Sequence, residues 1–204
     1  MTVTYPLTGY PVQVLAYDGQ KVTIRSLEPR DKEALLEFFR RIPEEDRAYL
    51  KEDVTSPEVI KEWTENIDFR RVLPLIALKD RRIIGDGTLH RRRPLARRHV
   101  GEVRVVVDPE FRNQGIGRML LRRLLELAEF QKLEKVTFEI VADKEEPARR
   151  AAEILGFTPA TVMKEHIRDL DGTPHDLVIM EMTHLSRILG IDMQKEMDAL
   201  EGMF

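Results

Sequence analysis

An arginine and two glycines stand between an apolar run and an amphipathic segment, where they could hold an anion. The apolar run 103–107 ends at Asp108, and Arg112, Gly115 and Gly117 follow in a short loop. The first N–H groups of a helix have no intrahelical partner, and the helix dipole attracts negative charge to them. Glycines let a phosphate approach the backbone without meeting a Cβ. The spacing therefore predicts a phosphate site, although a glycine pair before a helix is more often a plain tight turn.

Two common phosphate motifs do not fit this loop. A P-loop needs Lys-Ser or Lys-Thr after its last glycine, but Arg118 and Met119 follow Gly117. The dinucleotide fingerprint needs a third glycine three residues after Gly117, where this sequence has Leu120. Neither a Walker nucleotide site nor a Rossmann site is therefore expected.

The loop does resemble the Arg/Gln-x-x-Gly-x-Gly/Ala signature of the GNAT acyltransferases. Residues 112–117 read RNQGIG, and the Val-x-Pro that usually precedes the signature stands at 107–109. A helix that ends in Leu-Gly-Phe, a second landmark of the family, is matched at residues 155–157. The resemblance implies the GNAT fold, which is an α/β fold with a mixed, mostly antiparallel central sheet flanked by helices. It also implies acetyl-CoA as the co-substrate and no metal.

In that family the loop amides bind the pyrophosphate of acetyl-CoA, and the preceding strand pairs with the pantetheine arm. Arg112 and Arg118 carry guanidinium groups that suit phosphate oxygens. A cation at a helix N-terminus is unfavourable, so Arg118 makes better sense there with an anion bound. The cofactor-binding residues that the resemblance implies are Val105, Val106, Val107, Arg112, Asn113, Gln114, Gly115, Ile116, Gly117 and Arg118.

Two segments are similar to a narrower group, the bacterial protein-lysine acetyltransferases of the Pat type. One is the stretch 18–31, which reads DGQKVTIRSLEPRD, and the other is the strand that begins at Glu102. Those enzymes carry an acidic residue at the position of Glu102. Since an amine must lose a proton to attack a thioester, the resemblance implies that Glu102 is the catalytic base.

Proton transfer to Glu102 is difficult on ordinary pKa values. A glutamate near ~4.3 facing a lysine near ~10.4 makes direct transfer about 8 kcal/mol uphill. Glu102 must therefore have its pKa raised by an apolar wall, act through water, or take amines that are already partly deprotonated. Candidates for that wall are Val100, Val103, Val105 and Val106. The alternative is a structural glutamate at the strand edge that pairs with Arg104 or a loop arginine.

The usual acid of the family is missing from its expected position. Many relatives carry an Asn and a Tyr on the helix before Leu-Gly-Phe, and the aligned positions here are Glu145 and Ala152. The chain's tyrosines all lie far upstream, at positions 5, 10, 17 and 49. We therefore expect the thiolate to leave without help from a tyrosine.

Hydrophobic periodicity predicts alternating strands and helices with a hairpin at each end, which is the pattern of a mixed α/β sheet. The hairpins are centred on Asp18-Gly19 and Asp171-Gly172. Three regions follow, namely an N-terminal extension with the first hairpin strand (1–20), a GNAT domain (21–183) and a helical tail (184–204). The predicted strands are 10–16, 21–25, 71–78, 82–90, 101–107, 135–141, 161–168 and 175–182, and the predicted helices are 31–41, 117–130, 147–155 and 185–200.

Composition limits the classes of function. The 204 residues carry 33 basic and 36 acidic side chains, a net charge of −3 that does not favour nucleic-acid binding. The chain has no cysteine, which excludes disulfides, thiolate-bound zinc and an acyl-cysteine intermediate. No apolar stretch reaches ~20 residues and no signal-peptide pattern is seen, so we expect a cytoplasmic protein without a membrane partner.

A basic run at 91–93 and 97–98 is the strongest local cluster of charge. It could hold the 3′-phosphate of CoA or an acidic protein surface, but a solvated loop is the commoner role of such a run. His90 and His99 flank the run, and their spacing supports no metal site.

These observations predict an acetyl-CoA-dependent N-acetyltransferase that works by direct attack in a ternary complex. The partner is an amine acceptor, expected to be a protein lysine, and the oligomeric state is left open, a dimer included. Two alternatives stay open, namely acetylation of a small-molecule amine and a non-catalytic sensor that binds acyl-CoA.

Overall fold

The strands of the chain form one eight-stranded sheet in the computed structural model, which describes residues 9–91, 95–183 and 185. The strand order is β1-β2-β3-β4-β5-β6-β8-β7, and the β5–β6 pair is parallel while the other neighbours are antiparallel. The sheet is therefore mixed and mostly antiparallel, as the sequence predicts. The strands are β1 (Val12–Leu15), β2 (Lys21–Ser26), β3 (Val72–Lys79), β4 (Arg82–Arg91), β5 (Val100–Val107), β6 (Lys135–Val141), β7 (Thr158–Arg168) and β8 (Pro174–Thr183).

Helices cover both faces of this sheet. On one face α4 packs on β4 and β5 and contacts α5, and on the other α1 packs on β4 and contacts α3. Neighbouring residues of a strand point to opposite faces, so that Ile84 joins the α4 core while Ile83 joins the α1 core. The helices are α1 (Lys32–Arg41), α2 (Glu44–Arg47), α3 (Pro57–Glu65), α4 (Ile116–Phe130) and α5 (Glu146–Ile154).

Glycines in β4 bring α4 close to the sheet. A Cβ on Gly85 would lie 2.9 Å from Leu120 Cδ1, and one on Gly87 would lie 3.2 Å from Leu124 Cδ1. These leucines are fully buried, and they line the stripe by which the helix packs on the sheet. The close approach places the start of α4 directly beside the end of β5.

The two central strands separate partway along their length. β5 pairs with β6 only from Val100 to Val103, opposite residues 135–138. Beyond Val103, β5 continues to pair with β4 as far as Val107, while β6 continues to pair with β8 as far as Val141. The divergence opens the centre of the sheet, and a backbone edge of β5 faces the gap.

The structure changes some of the predicted boundaries. The charged stretch 43–68, whose prolines and charges predict one or two short helices, contains α2 and α3 as expected, whereas β7 begins at Thr158 instead of 161. Because β7 is the edge strand and most of its side chains are exposed, its start has no apolar alternation to mark it. The helical tail predicted for 185–200 lies, except for the buried Leu185, outside the described residues.

Asp108 joins the end of β5 to the opposite face of the sheet. Its side chain is 1% exposed and accepts from Arg41 Nε at 2.8 Å and from Arg82 Nη2 at 2.9 Å. Burial by itself raises the pKa of Asp108, but the two arginines outweigh burial and lower the pKa. The carboxylate therefore stabilises the turn that leads into the glycine loop.

We expect Asp108→Ala to lower the free energy of unfolding by about 3 kcal/mol at pH 7, since it leaves two arginines without their shared partner. Glu110→Ala is the matched control, because exposed Glu110 also pairs with Arg82, at 2.8 Å, and should change stability by about 0.5 kcal/mol or less. Urea unfolding measures both. Since folding lowers the pKa of Asp108, its contribution is complete above the unfolded-state value of ~3.9 and is lost as pH falls through the folded value. Equal effects of the two variants would contradict this role.

Candidate active site

A cavity of about 1010 Å³ fills the gap where β5 and β6 diverge. Its walls come from the outer half of β5, the loop before α4, the start of α5 and a segment that follows α2. Of the ten predicted cofactor-binding residues, Gln114 alone does not line the cavity. The Gln114 side chain instead donates to the Glu110 carbonyl, at 3.1 Å.

The loop before α4 has the backbone shape of an anion site. Asn113 and Gly115 have φ values of 61° and 83°, both in the left-handed region. The Met119 N–H donates to the Gly115 carbonyl at 3.0 Å, which is the first hydrogen bond of the helix. The N–H groups before Met119 therefore have no carbonyl partner within the helix. Amides in such a turn, at the positive end of a helix, converge on a negative group.

The two glycines of the loop serve different purposes. A Cβ on Gly115 would lie 2.8 Å from Tyr17 Cε1, so the residue is needed both for its φ and for close packing. A Cβ on Gly117 would lie 3.4 Å from Val107 Cγ2, at the wall of the cavity. A larger side chain at 117 would fill the space into which the loop amides point. The residues present therefore fit a pyrophosphate.

The arginines of the loop have partners within the protein. Arg112 Nη2 donates to Asp46 Oδ2 at 2.6 Å, which ties the loop to α2. The Arg118 guanidinium lies 5.2 Å from the centre of the Tyr17 ring. Both side chains line the cavity, where their guanidinium groups suit phosphate oxygens.

Glu102 lines the cavity next to the point where β5 and β6 begin to diverge. The residue is 7% exposed and faces the same side of the sheet as Arg104 and Val106. Its Oε1 accepts from Lys51 Nζ at 2.7 Å and from Arg104 Nε at 2.9 Å. His90, on the neighbouring strand β4, is paired with Glu102 in the sheet. Burial, followed by the charge of Arg104, lowers the pKa of His90 to about 4. This histidine is therefore neutral at working pH.

The apolar wall predicted around Glu102 does not raise its pKa, although Val106 lies on the same face of the sheet as Glu102. Val103 and Val105 point to the opposite face, where they pack with the α4 core. Burial by itself raises the pKa of Glu102, but the hydrogen bond from Lys51 and the charge of Arg104 outweigh burial and lower the pKa to about 2. The pairing with Arg104, which the sequence offered as the alternative, is present in the structure.

Several lining residues escaped sequence reasoning. Tyr49 and Lys51 come from the segment after α2, and Glu139 comes from β6, 3.1 Å from Lys51 Nζ. Burial raises the pKa of Tyr49, and the nearby carboxylates, Asp169 first, raise it further. No motif marks these residues, because they lie in an irregular segment or on a strand far along the chain.

The two positions aligned with the family's Asn and Tyr have structural roles. Glu145 lines the cavity, accepts from the Val141 N–H at 2.7 Å, and has its pKa raised by burial. Ala152 is fully buried in the core. A side chain at 152 that reached the cavity would need to displace this packing.

The basic run lies apart from the cavity as far as it is described. Arg91 donates to the Gln131 side chain and to the Phe69 carbonyl, so its role is to hold α4 and the loop at 69 against β4. Residues 92–94 lie outside the described part, and residues 95–99 do not line the cavity.

Within the described residues, no group of three or more His, Asp or Glu side chains could hold a metal ion. No described helix is both long and apolar enough to cross a membrane.

Residues 33–157 match the family described as Acetyltransferase (GNAT) family. The chain therefore belongs to this family, has the GNAT fold that the sequence predicts, and is an acetyl-CoA-dependent N-acetyltransferase. A search of curated proteins finds no match.

Similar solved structures agree with the fold. A ribosomal-protein-alanine N-acetyltransferase from Brucella melitensis is 25% identical, with a TM-score of 0.67 over 78% of this chain and 98% of that chain. An acetyltransferase from Salmonella typhimurium, solved with its cofactor acetyl-CoA, is 21% identical, with a TM-score of 0.68 over 79% and 93%. The GNAT domain of S. lividans PAT is 18% identical, with a TM-score of 0.69 over 88% and 99%.

Proposed function

We propose that the acceptor is a lysine side chain carried by a protein. The observation that carries this proposal is the hydrogen bond of 2.7 Å between Lys51 Nζ and the buried Glu102 carboxylate. The cavity thus already accommodates a lysine ammonium at the residue we propose as the base. An extended aliphatic chain with a terminal cation, which is what a substrate lysine presents, matches this position.

Acetyl-CoA supplies the acetyl group, and the chain holds it through two backbone features. The amides of Asn113, Gly115, Ile116 and Gly117 would face the pyrophosphate, and the edge of β5 from Arg104 to Val107 would accept the pantetheine arm as a short additional strand. The lack of cysteine excludes an acyl-cysteine carrier, so the acceptor amine attacks the thioester directly while both substrates are bound.

For an acceptor from outside the chain, Glu102 acts as the base only once Lys51 has moved aside. Against a pKa of about 2, direct transfer from a lysine near ~10.4 is about 11 kcal/mol uphill. An incoming amine that displaces Lys51 removes the hydrogen bond that does most to lower the pKa, while burial continues to raise it. Glu102 then holds the acceptor nitrogen in line and takes its proton, either directly or through a water molecule.

The proposal is tested by measuring release of the CoA thiol with three sets of acceptors: lysine-containing peptides and proteins, polyamines and free amino acids. We expect the highest kcat/KM for lysine side chains in peptides. A preference for the small amines would support the small-molecule alternative. Binding of acetyl-CoA by calorimetry without thiol release for any acceptor would support the sensor alternative.

Turnover should rise with pH and then level off, because deprotonation of the acceptor amine is more difficult than protonation of the leaving thiolate. A thiol pKa near ~8.5 lets the thiolate leave without an acid. The structure places Tyr49 in the cavity, so Tyr49→Phe is the direct test, and we expect its turnover to stay within about threefold of the wild type. A descending limb in the wild-type pH profile that disappears in Tyr49→Phe would make Tyr49 the acid.

A further inference from the structure

Lys51 lines the cavity beside Glu102. It belongs to the segment between α2 and α3, and its side chain is 43% exposed. The ammonium nitrogen is 2.7 Å from Glu102 Oε1 and 3.1 Å from Glu139 Oε2. The same cavity is lined by Val105, on the edge of β5, and by the glycine loop. An amine of the protein itself therefore occupies the position beside Glu102 that the proposed function assigns to the substrate amine.

We propose that Lys51 is a site of self-acetylation, at which the enzyme transfers the acetyl group to its own side chain when acetyl-CoA is bound and no other acceptor competes. This inference rests on the proposed function, because it takes Glu102 as the residue that receives the acceptor amine. Self-acetylation adds to the proposed function a covalent modification of Lys51, which would be a substrate of the enzyme and also part of its site.

The chemistry balances with acetyl-CoA as the only co-reactant. The Lys51 amine forms a C–N bond to the thioester carbonyl carbon, the C–S bond breaks, and the sulfur leaves as a thiolate. The Lys51 ammonium loses two protons, of which one ends on the CoA thiol and one passes to solvent, while Glu102 holds the amine in place. The products are Nε-acetyl-Lys51 and free CoA.

Lys144 provides a comparison within the same cavity. Its side chain is also 43% exposed and also lines the cavity, so solvent exposure does not separate the two lysines. Its ammonium, however, faces Asp169 on the β7–β8 hairpin at 3.9 Å. Non-enzymatic acetylation by acetyl-CoA should affect both lysines similarly, whereas transfer directed by Glu102 should favour Lys51.

The test incubates the full-length protein with isotope-labelled acetyl-CoA alone and follows the acetylated residues by peptide mass spectrometry. We expect Lys51 to be labelled at least tenfold faster than Lys144, with a first-order rate that does not depend on protein concentration. An acetyl group already on Lys51 in the isolated protein, absent from an equally prepared Glu102→Gln variant, is the same result. Lys51→Arg should remove the label, and Lys144→Arg should retain it.

Three outcomes would overturn the proposal: equal labelling of Lys51 and Lys144, labelling unchanged in Glu102→Gln, and a rate proportional to protein concentration. The same samples are assayed with a lysine-containing peptide. If the peptide is acetylated and Lys51 is not, self-acetylation is wrong while the proposed function stands. If neither is acetylated, both are wrong. If Lys51 alone is labelled, self-acetylation is supported and the external lysine acceptor is rejected.

Discussion

Replacing Glu102 by glutamine is expected to lower turnover about 100-fold or more, with little change in the affinity for acetyl-CoA. The substitution keeps the size of the side chain and removes the charge that holds the acceptor amine. The glycine loop 112–117, where we propose that the pyrophosphate binds, follows the other end of β5, so we expect cofactor binding not to depend on Glu102. Steady-state kinetics with saturating acetyl-CoA and calorimetry on the same variant measure the two quantities separately.

Glu139→Gln is the matched control for this prediction. Glu139 also lines the cavity and also pairs with Lys51, at 3.1 Å, but it lies on β6 and is more exposed. If Glu102 has a specific role, the control should lose far less activity. Equal losses would show that the negative charge of the cavity as a whole matters, and full activity of Glu102→Gln across the pH range would make Glu102 a structural residue.

Gly117→Val is expected to weaken acetyl-CoA binding at least tenfold, or roughly 1.4 kcal/mol. The added Cβ would lie 3.4 Å from Val107 Cγ2, and the two further methyl groups would extend into the space in front of the loop amides. Since Gly117 does not have a positive φ, valine can adopt its backbone conformation and the fold should be retained. Calorimetry on a variant with wild-type circular dichroism provides the measurement.

Gly117→Ala tests whether the loss of acetyl-CoA affinity depends on the size of the side chain at position 117. Its Cβ makes an ordinary contact with Val107 and carries no branches, so the loss of affinity should be smaller than that of the valine variant. An unchanged Kd for Gly117→Val would mean that the phosphate does not bind at this loop.

The features that the sequence predicts well are governed by short-range rules. Strand, glycine loop and helix at 103–130 are specified by residues near one another, because helix capping and turn formation depend on local backbone geometry. The same holds for the hairpin at Asp18-Gly19 and for the helix that stops before Gly156. The mixed sheet followed from the order of these elements and a family resemblance carried by the same local motifs.

The electrostatic state of Glu102 depends on contacts that are distant along the chain. Lys51 is 51 residues from Glu102, and its segment has no periodicity from which a position could be predicted. The local sequence VGEVRVVV is compatible with two states of Glu102. In one an apolar wall raises the pKa of Glu102, and in the other a lysine and an arginine lower it to about 2. Which of them holds depends on the side chain that folding brings opposite the carboxylate.

The sequence by itself determined where the strand, the glycine loop and the helix lie and which acid is the candidate base, since these all belong to one continuous strand-loop-helix unit. Only the tertiary structure decided what faces that acid. It brought Lys51 Nζ within hydrogen-bonding distance of Glu102, brought Tyr49 into the cavity despite its distance from the motifs, and put Val103 and Val105 on the face of the sheet opposite Glu102. The physical reason is that backbone conformation follows from neighbouring residues, whereas the charge and hydration of a buried group follow from whatever packs against it.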